Sequence, residues 1–325
     1  MQKSLKILLI RFSSIGDIIL TTPVIRCLKK QLDVELHYVT KEIYTSILLN
    51  NPYLDKIHAL NNDINKTISS LKKENFDYVI DLHNSIRSKF IVLKLGVKSK
   101  RYFKSNFNKF ILIKFGINIL DDLHVVDRYM KTISFLGVKN DNKGLEYFLS
   151  SDINLKFNIK QKFITWSIGA SYINKQVPLN TILEVCDNIA EPIILLGGEG
   201  DTEFGEQVKK RSSKQNIFNF CGELSLSESA YLVKNSCLFL TNDSGLMHIG
   251  AAFKKRMISF WGCTKPSLGF IPYQNKRNSV LILANDSNRP CSKHGSKCRE
   301  TKQICINNIS AQEIIAAYNK LIFSK

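Results

Sequence analysis

The sequence predicts an α/β protein made of two successive wound parallel sheets. Three observations predict it. Short runs rich in Ile, Leu and Val recur at strand length, longer stretches with helical spacing separate them, and the rhythm restarts after residue 160. Strands alternating with helices favour a parallel sheet covered on both faces, because each crossover must return over the sheet. A chain of 325 residues, 44% hydrophobic and 23% charged, is long enough for two such cores.

Taken in order, the first strand is expected at residues 7–12, followed by a helical pattern over 18–32. Further strands are expected at 34–40 and 78–83, with a helical pattern at 64–73 between them. The second unit opens with a strand at 163–168 and a helix from about residue 179. "PIILLGG", "CLFLTND" and "RMISFWG" then read as strands, each separated from the next by a helix. The polar stretch "SSDINLKFNIKQK", residues 150–162, reads as the linker. Domains of 1–155 and 156–325 follow, with the last helix able to return to the N-terminal domain. No short-period repeat is visible.

The chain has no run of 18 or more apolar residues of the kind that spans a membrane. Lys6 and Arg11 interrupt the N-terminal apolar run and no small-residue cleavage site follows, so a cytoplasmic protein is expected. Its eight Cys then read as reduced thiols.

The net charge of +18 calls for a polyanionic partner: nucleic acid, an anionic lipid surface or a phosphorylated substrate. Residues 82–120 hold no Asp or Glu but carry Arg87, Lys89, Lys94, Lys98, Lys100, Arg101, Lys104, Lys109 and Lys114. Aromatic residues are interleaved with them, which suits a membrane surface or an anionic glycolipid; the plain structural alternative is a solvated face. Within the stretch, "FNKFILIKFGINIL", residues 107–120, reads either as an interfacial helix or as a core-facing helix with snorkelling lysines. Zinc-finger spacing and RNP patterns are absent, so no nucleic-acid partner is expected.

Ligands of open α/β sheets bind beyond the carboxyl ends of the strands, where loops lead into helix N-termini. Four such junctions carry unusual residues. The first is Ser13-Ser14-Ile15-Gly16-Asp17, in which Gly16 permits tight backbone geometry and Asp17 enters the first turn of a helix. An acidic residue there also suits the helix dipole without any catalytic role. The second is "TNDSGLMHIGAAF", where Asn242-Asp243-Ser244-Gly245 closes a strand and begins a small-residue helix, an anion cradle in the making. His248 follows Ser244 by one helical turn; a capped core helix with a satisfied histidine is the structural alternative. The third, "LLGGEGDTE", sets glycines before Asp201, a pattern suited to gripping ribose hydroxyls. The fourth, "SIGASYINKQVP", puts Lys175 in a loop just before Pro178 opens a helix.

Together these segments resemble glycosyltransferase family nine, the group containing the ADP-heptose–lipopolysaccharide heptosyltransferases. The motifs "RFSSIGDIILTTP", "TNDSGLMHIGAA" and "FWGCTKP" occur in the family's order, and the Cys-bearing tail "RPCSKHGSKCRETKQICINNISAQEI" is similar as well. The resemblance implies a GT-B fold, two Rossmann-like domains facing across a cleft. It implies that residues 1–155 bind the acceptor and residues 156–325 bind the nucleotide sugar.

Carried over by position, the resemblance implies that Asp17 is the general base of an inverting, single-step transfer, and that Ser13, Ser14 and Gly16 lie on the acceptor side. Arg87, Lys100 and Arg101 join the acceptor side through the basic stretch. Lys175 would neutralise the leaving diphosphate. Asp243, Ser244, Gly245 and His248 would form the donor cradle, with Asp201 on the ribose. Glu199 and Glu203 remain alternatives to Asp201, because the glycine-rich alignment can slip. The implied partners are a nucleotide-diphosphate sugar such as ADP-heptose and an anionic glycolipid at the inner face of the inner membrane. No cofactor and no metal are implied. One departure is Val177, which stands before Pro178 where relatives often have Trp.

Cys291, Cys298 and Cys305 are spaced Cys-x6-Cys-x6-Cys with His294 between them. Structural zinc sites pair their cysteines two to four residues apart, so buried or loosely packed thiols are expected. Asp121-Asp122 lacks a nearby third ligand. A nucleotide-sugar epimerase of similar architecture remains the alternative enzyme, and a nucleic-acid-binding protein the alternative non-enzyme; the basic N-terminal region argues against the first.

Overall fold

The first apolar run, Leu5–Ile10, is strand β1, with Ile7 to Ile10 all fully buried. A strand covered on both faces belongs in the middle of a parallel sheet, and β1 lies there. The computed structural model describes residues 4–151, 153, 155, 161–284, 289–300 and 304–323. After β1 come helices α1 (Ile15–Ile19) and α2 (Thr22–Gln31), β2 (Val34–Lys41), β3 (Lys56–Leu60) and α3 (Ile64–Lys72). β4 (Tyr78–Asp81), α4 (Ile86–Leu95) and β5 (Lys98–Arg101) complete a five-stranded sheet in the order β3-β2-β1-β4-β5. Every pairing is parallel, with Ile7 opposite Leu36 on one side and Tyr78 on the other.

The single helical pattern expected over 18–32 is two helices. Thr21 and Thr22 turn their hydroxyls back to the carbonyls of Ile18 and Ile19, and Pro23 sits in the first turn of α2. Proline is at ease there because its missing N–H would have been unsatisfied anyway.

Helices α5 (Asn106–Phe115) and α6 (Val125–Ile133) follow. The second sheet is built from β6 (Ile164–Ser167), α7 (Leu179–Asn188), β7 (Ile193–Leu196), α8 (Thr202–Arg211), β8 (Ile217–Asn219), α9 (Leu226–Asn235), β9 (Leu238–Asn242), α10 (Gly245–Ala252), β10 (Met257–Trp261) and β11 (Ser279–Leu283). Its order is β11-β10-β9-β6-β7-β8, again parallel throughout. The final helix, α11 (Ala311–Phe323), packs on α7 and on β10 and β11.

The chain divides into two units: Met1–Ser105 with Leu123–Phe148, and Asn106–Asp122 with Leu149–Lys325. This differs from a single division at 155/156. Residues 123–148 stay with the first sheet because Arg26 on α2, only 1% exposed, holds them there. Its guanidinium makes two bonds to Asp141, at 2.7 and 2.8 Å, and pairs with Glu146 at 3.0 Å. Residues 106–122 group with the second sheet because Arg289 donates to the carbonyls of Ile113 and Lys114, and Lys109 lies 5.3 Å from the centre of the Phe270 ring. Lys109 is buried rather than snorkelling, while Phe107, Phe110 and Phe115 on the same helix are exposed. α11 likewise falls in the second unit. The expected linker at 150–162 lies largely outside the described residues.

Candidate active site

In the first sheet the strand order reverses between β1 and β4; in the second it reverses between β6 and β9. Beyond the carboxyl ends of strands at such points, adjacent loops part and leave room for a ligand.

At the first of these points, Ser14 caps α1 and Asp17 occupies its third position, accepting a 3.4 Å bond from the Ser14 amide. Its Oδ2 also pairs with Arg11 at 2.6 Å, and the Asp17 side chain remains a quarter exposed. Arg11 is itself fixed on every side, donating to the Ser13 carbonyl at 2.8 Å, the Leu82 carbonyl at 2.9 Å and the Tyr129 hydroxyl at 3.0 Å. Gly16 sits within the helix, not among the residues of positive φ, so no special backbone geometry is asked of it.

The loop after β4 completes this corner. Asp81, fully buried, accepts from the amides of His83 and Asn84 at 2.9 and 2.7 Å and from the Ser88 hydroxyl at 2.8 Å. The His83 ring centre lies 4.8 Å from that of Phe12, the rings tilted by 53°. Burial, reinforced by the positive charges of Arg11 and Lys104, pushes its imidazole down to about 3, so the ring is neutral at physiological pH.

At the second point Lys175, in a short turn after β6, reaches Asp243 at the end of β9. The Lys175 Nζ lies 2.7 Å from Asp243 Oδ2, and the Thr264 hydroxyl donates to the same oxygen at 2.8 Å. Ser244 is the residue before α10, and its hydroxyl bonds Thr241 at 3.3 Å rather than capping the helix. The Ser244 side chain thus leaves the start of α10 uncapped, one residue after the Asp243 that pairs with Lys175, and free first-turn amides of a helix favour an anion. His248 is buried inside α10.

Asp201 lies beside this cluster, closing the turn after β7. It accepts from the Gly198 amide at 2.9 Å and from the Gln176 side chain at 3.1 Å. A Cβ on Gly169 would fall 2.1 Å from Asp201 Oδ2, so only glycine at the end of β6 lets that carboxylate approach. Glu199 and Glu203 are exposed.

The acceptor-side cations are spread along a surface. Arg87 is exposed near the start of α4, and Lys100 and Arg101 are exposed on the edge strand β5, with Lys100 5.4 Å from the Phe135 ring centre.

A family model described as glycosyltransferase family 9 (heptosyltransferase) matches residues 64–302. The chain belongs to glycosyltransferase family 9. It is 28% identical to lipopolysaccharide heptosyltransferase 1 of Campylobacter coli, covering 98% of this chain and 99% of that one. Among solved structures it is similar to the family 9 glycosyltransferase of Veillonella parvula, with a TM-score of 0.81, 22% identity and 99% and 98% of the two chains covered. It is also similar to the E. coli heptosyltransferase WaaC with ADP, with a TM-score of 0.71, 16% identity and 98% and 100% covered. The fold of this family 9 enzyme is GT-B. Membership makes it a glycosyltransferase, so the epimerase and nucleic-acid readings give way.

The sequence reading of this transferase passed over Arg11, Asp81, His83, Gln176 and Thr264. In the sequence Arg11 stands out only as an interruption of an apolar run, and Thr264 stands inside "FWGCTKP". Cys263 in that motif was missed as well. Its sulfur joins those of Cys291, Cys298 and Cys305, and all four lie within 4.8 Å of one another. Cys291 and Cys305 are buried and Cys298 half-buried, and with Cys263 they form one cluster. Among the described residues no helix is long and apolar enough to cross a membrane.

Proposed function

We propose that this glycosyltransferase moves heptose from ADP-heptose to the core of a lipopolysaccharide-type acceptor, in one inverting step without a catalytic metal. The observation that carries the proposal is the Lys175–Asp243–Thr264 cluster set against the open start of α10. It joins a lysine side chain to a row of backbone donors, the combination that stabilises a departing diphosphate. The relatives, a lipopolysaccharide heptosyltransferase and a heptosyltransferase solved with ADP, support this choice of sugar, nucleotide and acceptor class.

In the proposed step, Asp17 accepts the proton of the acceptor hydroxyl while its oxygen attacks the anomeric carbon. The bond from that carbon to the phosphate oxygen breaks, and its electron pair leaves with the nucleoside diphosphate. Lys175 and the α10 amides meet the charge that develops. Asp243, a carboxylate, acts by aiming Lys175 and not by touching phosphate. Asp201 receives the ribose hydroxyls. Ser13, Ser14 and Gly16 shape the acceptor side, and Arg87, Lys100 and Arg101 draw the anionic lipid from the inner face of the inner membrane, where the enzyme works as a peripheral cytoplasmic protein.

The test is to incubate the full chain with ADP-heptose and a heptose-free core lipid. ADP release that requires both substrates, with inverted anomeric configuration in the product and undiminished turnover in EDTA, is the expected result. Release of ADP without acceptor, retention of configuration, or loss in EDTA rescued by Mg²⁺ would each refute its part of the proposal. ADP at about 100 times its Kd should stabilise the protein by roughly 2.7 kcal/mol.

A further inference from the structure

The four clustered thiols come from three places in the chain. Cys263 follows β10; Cys291 and Cys298 lie in the segment after β11; Cys305 opens the short turn of 3-10 helix that leads to α11. The Cys291 amide donates to the Cys263 carbonyl at 2.8 Å, and Sγ–Sγ separations are 3.6 Å for Cys291–Cys305 and 3.3 Å for Cys298–Cys305. All eight cysteines are free thiols. We propose that Cys263, Cys291, Cys298 and Cys305 form a tetrathiolate site for one tetrahedral, thiophilic metal ion, zinc or iron, that braces the donor half of the enzyme.

Geometry is the main argument. A metal–sulfur bond of 2.3 Å in a regular tetrahedron sets sulfurs about 3.8 Å apart, inside the range spanned by the observed 3.3 Å contact and the 4.8 Å limit. A bridged iron–sulfur cluster would hold the cysteine sulfurs farther apart, so the site suits a single ion. Four soft sulfur donors with no oxygen or nitrogen ligand select zinc or iron over magnesium or calcium. Binding a divalent ion displaces four thiol protons and leaves a centre of net charge −2, in a segment whose sequence also carries Arg289, Lys293, Lys297 and Arg299.

The centre stands directly behind the donor cluster. The Asn174 side chain donates to the Gly295 carbonyl at 3.0 Å, between Cys291 and Cys298. A Cβ on Gly295 would fall 2.7 Å from Lys175 Cε, and one on Gly262 would fall 2.9 Å from both the Asn174 carbonyl and Ile306 Cβ. Thr264, next to Cys263, holds Asp243. A metal that fixes these segments thereby fixes the wall against which Lys175 lies. This consequence, unlike the metal itself, rests on the proposed donor site.

The experiment is elemental analysis of the full chain purified without an affinity metal or chelator. The expected content is about one zinc or one iron per chain, with colour and the element detected telling the two apart. Cys263→Ser and Cys298→Ser should each cut that content at least tenfold, while Cys186→Ser, at a buried thiol outside the cluster, should leave it unchanged. Because a cluster variant can fail to fold, the wild-type protein gives a second reading. After displacement of the metal by a mercurial and its removal, added Co²⁺ should produce the visible absorption of a tetrahedral tetrathiolate. Metal-free wild type that binds no Co²⁺, or a stable disulfide among the four residues, would overturn the proposal. Metal-depleted enzyme should show a raised KM for ADP-heptose. A chain that holds its metal but transfers no sugar would sink the proposed function and leave the metal site standing.

Discussion

Asp17 serves two structures at once: it is the third residue of α1, bonded back to the Ser14 amide, and the partner of Arg11 at 2.6 Å. Both duties fix the carboxylate at the carboxyl end of β1, which is what a general base needs, since proton transfer requires reach within about 3 Å. Asp17→Asn keeps the side-chain shape and the bond from Ser14 but cannot take a proton. Its kcat should fall about 10²- to 10⁴-fold, with the Kd for nucleotide within error of wild type. Steady-state kinetics beside nucleotide titration will show this, and wild-type turnover would end the general-base assignment. How the residue could be read from sequence is instructive. A charge between two apolar runs is visible to anyone scanning the chain, and so is Lys175 in a loop before proline. Arg11 is not, because its partners, Leu82 and Tyr129, lie 71 and 118 residues away. Thr264 and Cys263 were hidden for the same reason, each acting through a residue that only the fold brings near. Gly169 is illegible for the same reason: what demands a glycine there is Asp201, 32 positions on, whose Oδ2 would lie 2.1 Å from a Cβ.

Elements were legible where burial wrote them. β1, β4, β6, β7, β9 and β10 are apolar runs because a central parallel strand is covered on both faces. β5, Lys-Ser-Lys-Arg, carries no apolar residue; pairing with β4 alone makes it a strand, and its charges suit an edge that must not recruit another chain. β3 was equally unmarked, although its His58 gives it a testable property. His58 packs beside His37 of β2, with ring nitrogens 3.0 Å apart, and Glu35, Glu74, Lys56 and Lys6 are the charged groups around the pair. Burial, and then the charge of His37, push His58 down to about 4 from 6.5. Between those values the unfolded chain binds the proton and the folded chain resists it. This contribution to stability is thus complete above pH 6.5 and is lost as pH falls toward 4. Urea unfolding across that window should show a loss of a few kcal/mol, and His58→Gln should flatten the slope. A slope unchanged by His58→Gln would assign the pH dependence to other groups.

At the scale of the whole molecule the unusual quantity is the charge of +18, and its purpose has two readings that one experiment separates. As edge protection, the cations of β5 keep strands of other molecules away and have no bearing on turnover. As an acceptor surface, they raise the local concentration of an anionic lipid, an effect that ionic strength screens over a Debye length of about 8 Å in physiological salt. Lys100 and Arg101 are exposed, and Lys100 Nζ lies 5.4 Å from the Phe135 ring centre, so their field reaches solvent. Reversing both, Lys100→Glu with Arg101→Glu, changes the net charge by four and leaves the buried sheet untouched. The double variant should raise KM for a lipid acceptor several-fold at low salt, and the difference from wild type should shrink as salt rises. Its Kd for nucleotide should not move, because the proposed donor cluster lies in the other unit. A short, uncharged acceptor analogue should be used equally well by both proteins, since it has no phosphate for the surface to attract. Acceptor kinetics that match wild type at every salt concentration would return β5 to edge protection and leave the excess charge without a part in catalysis.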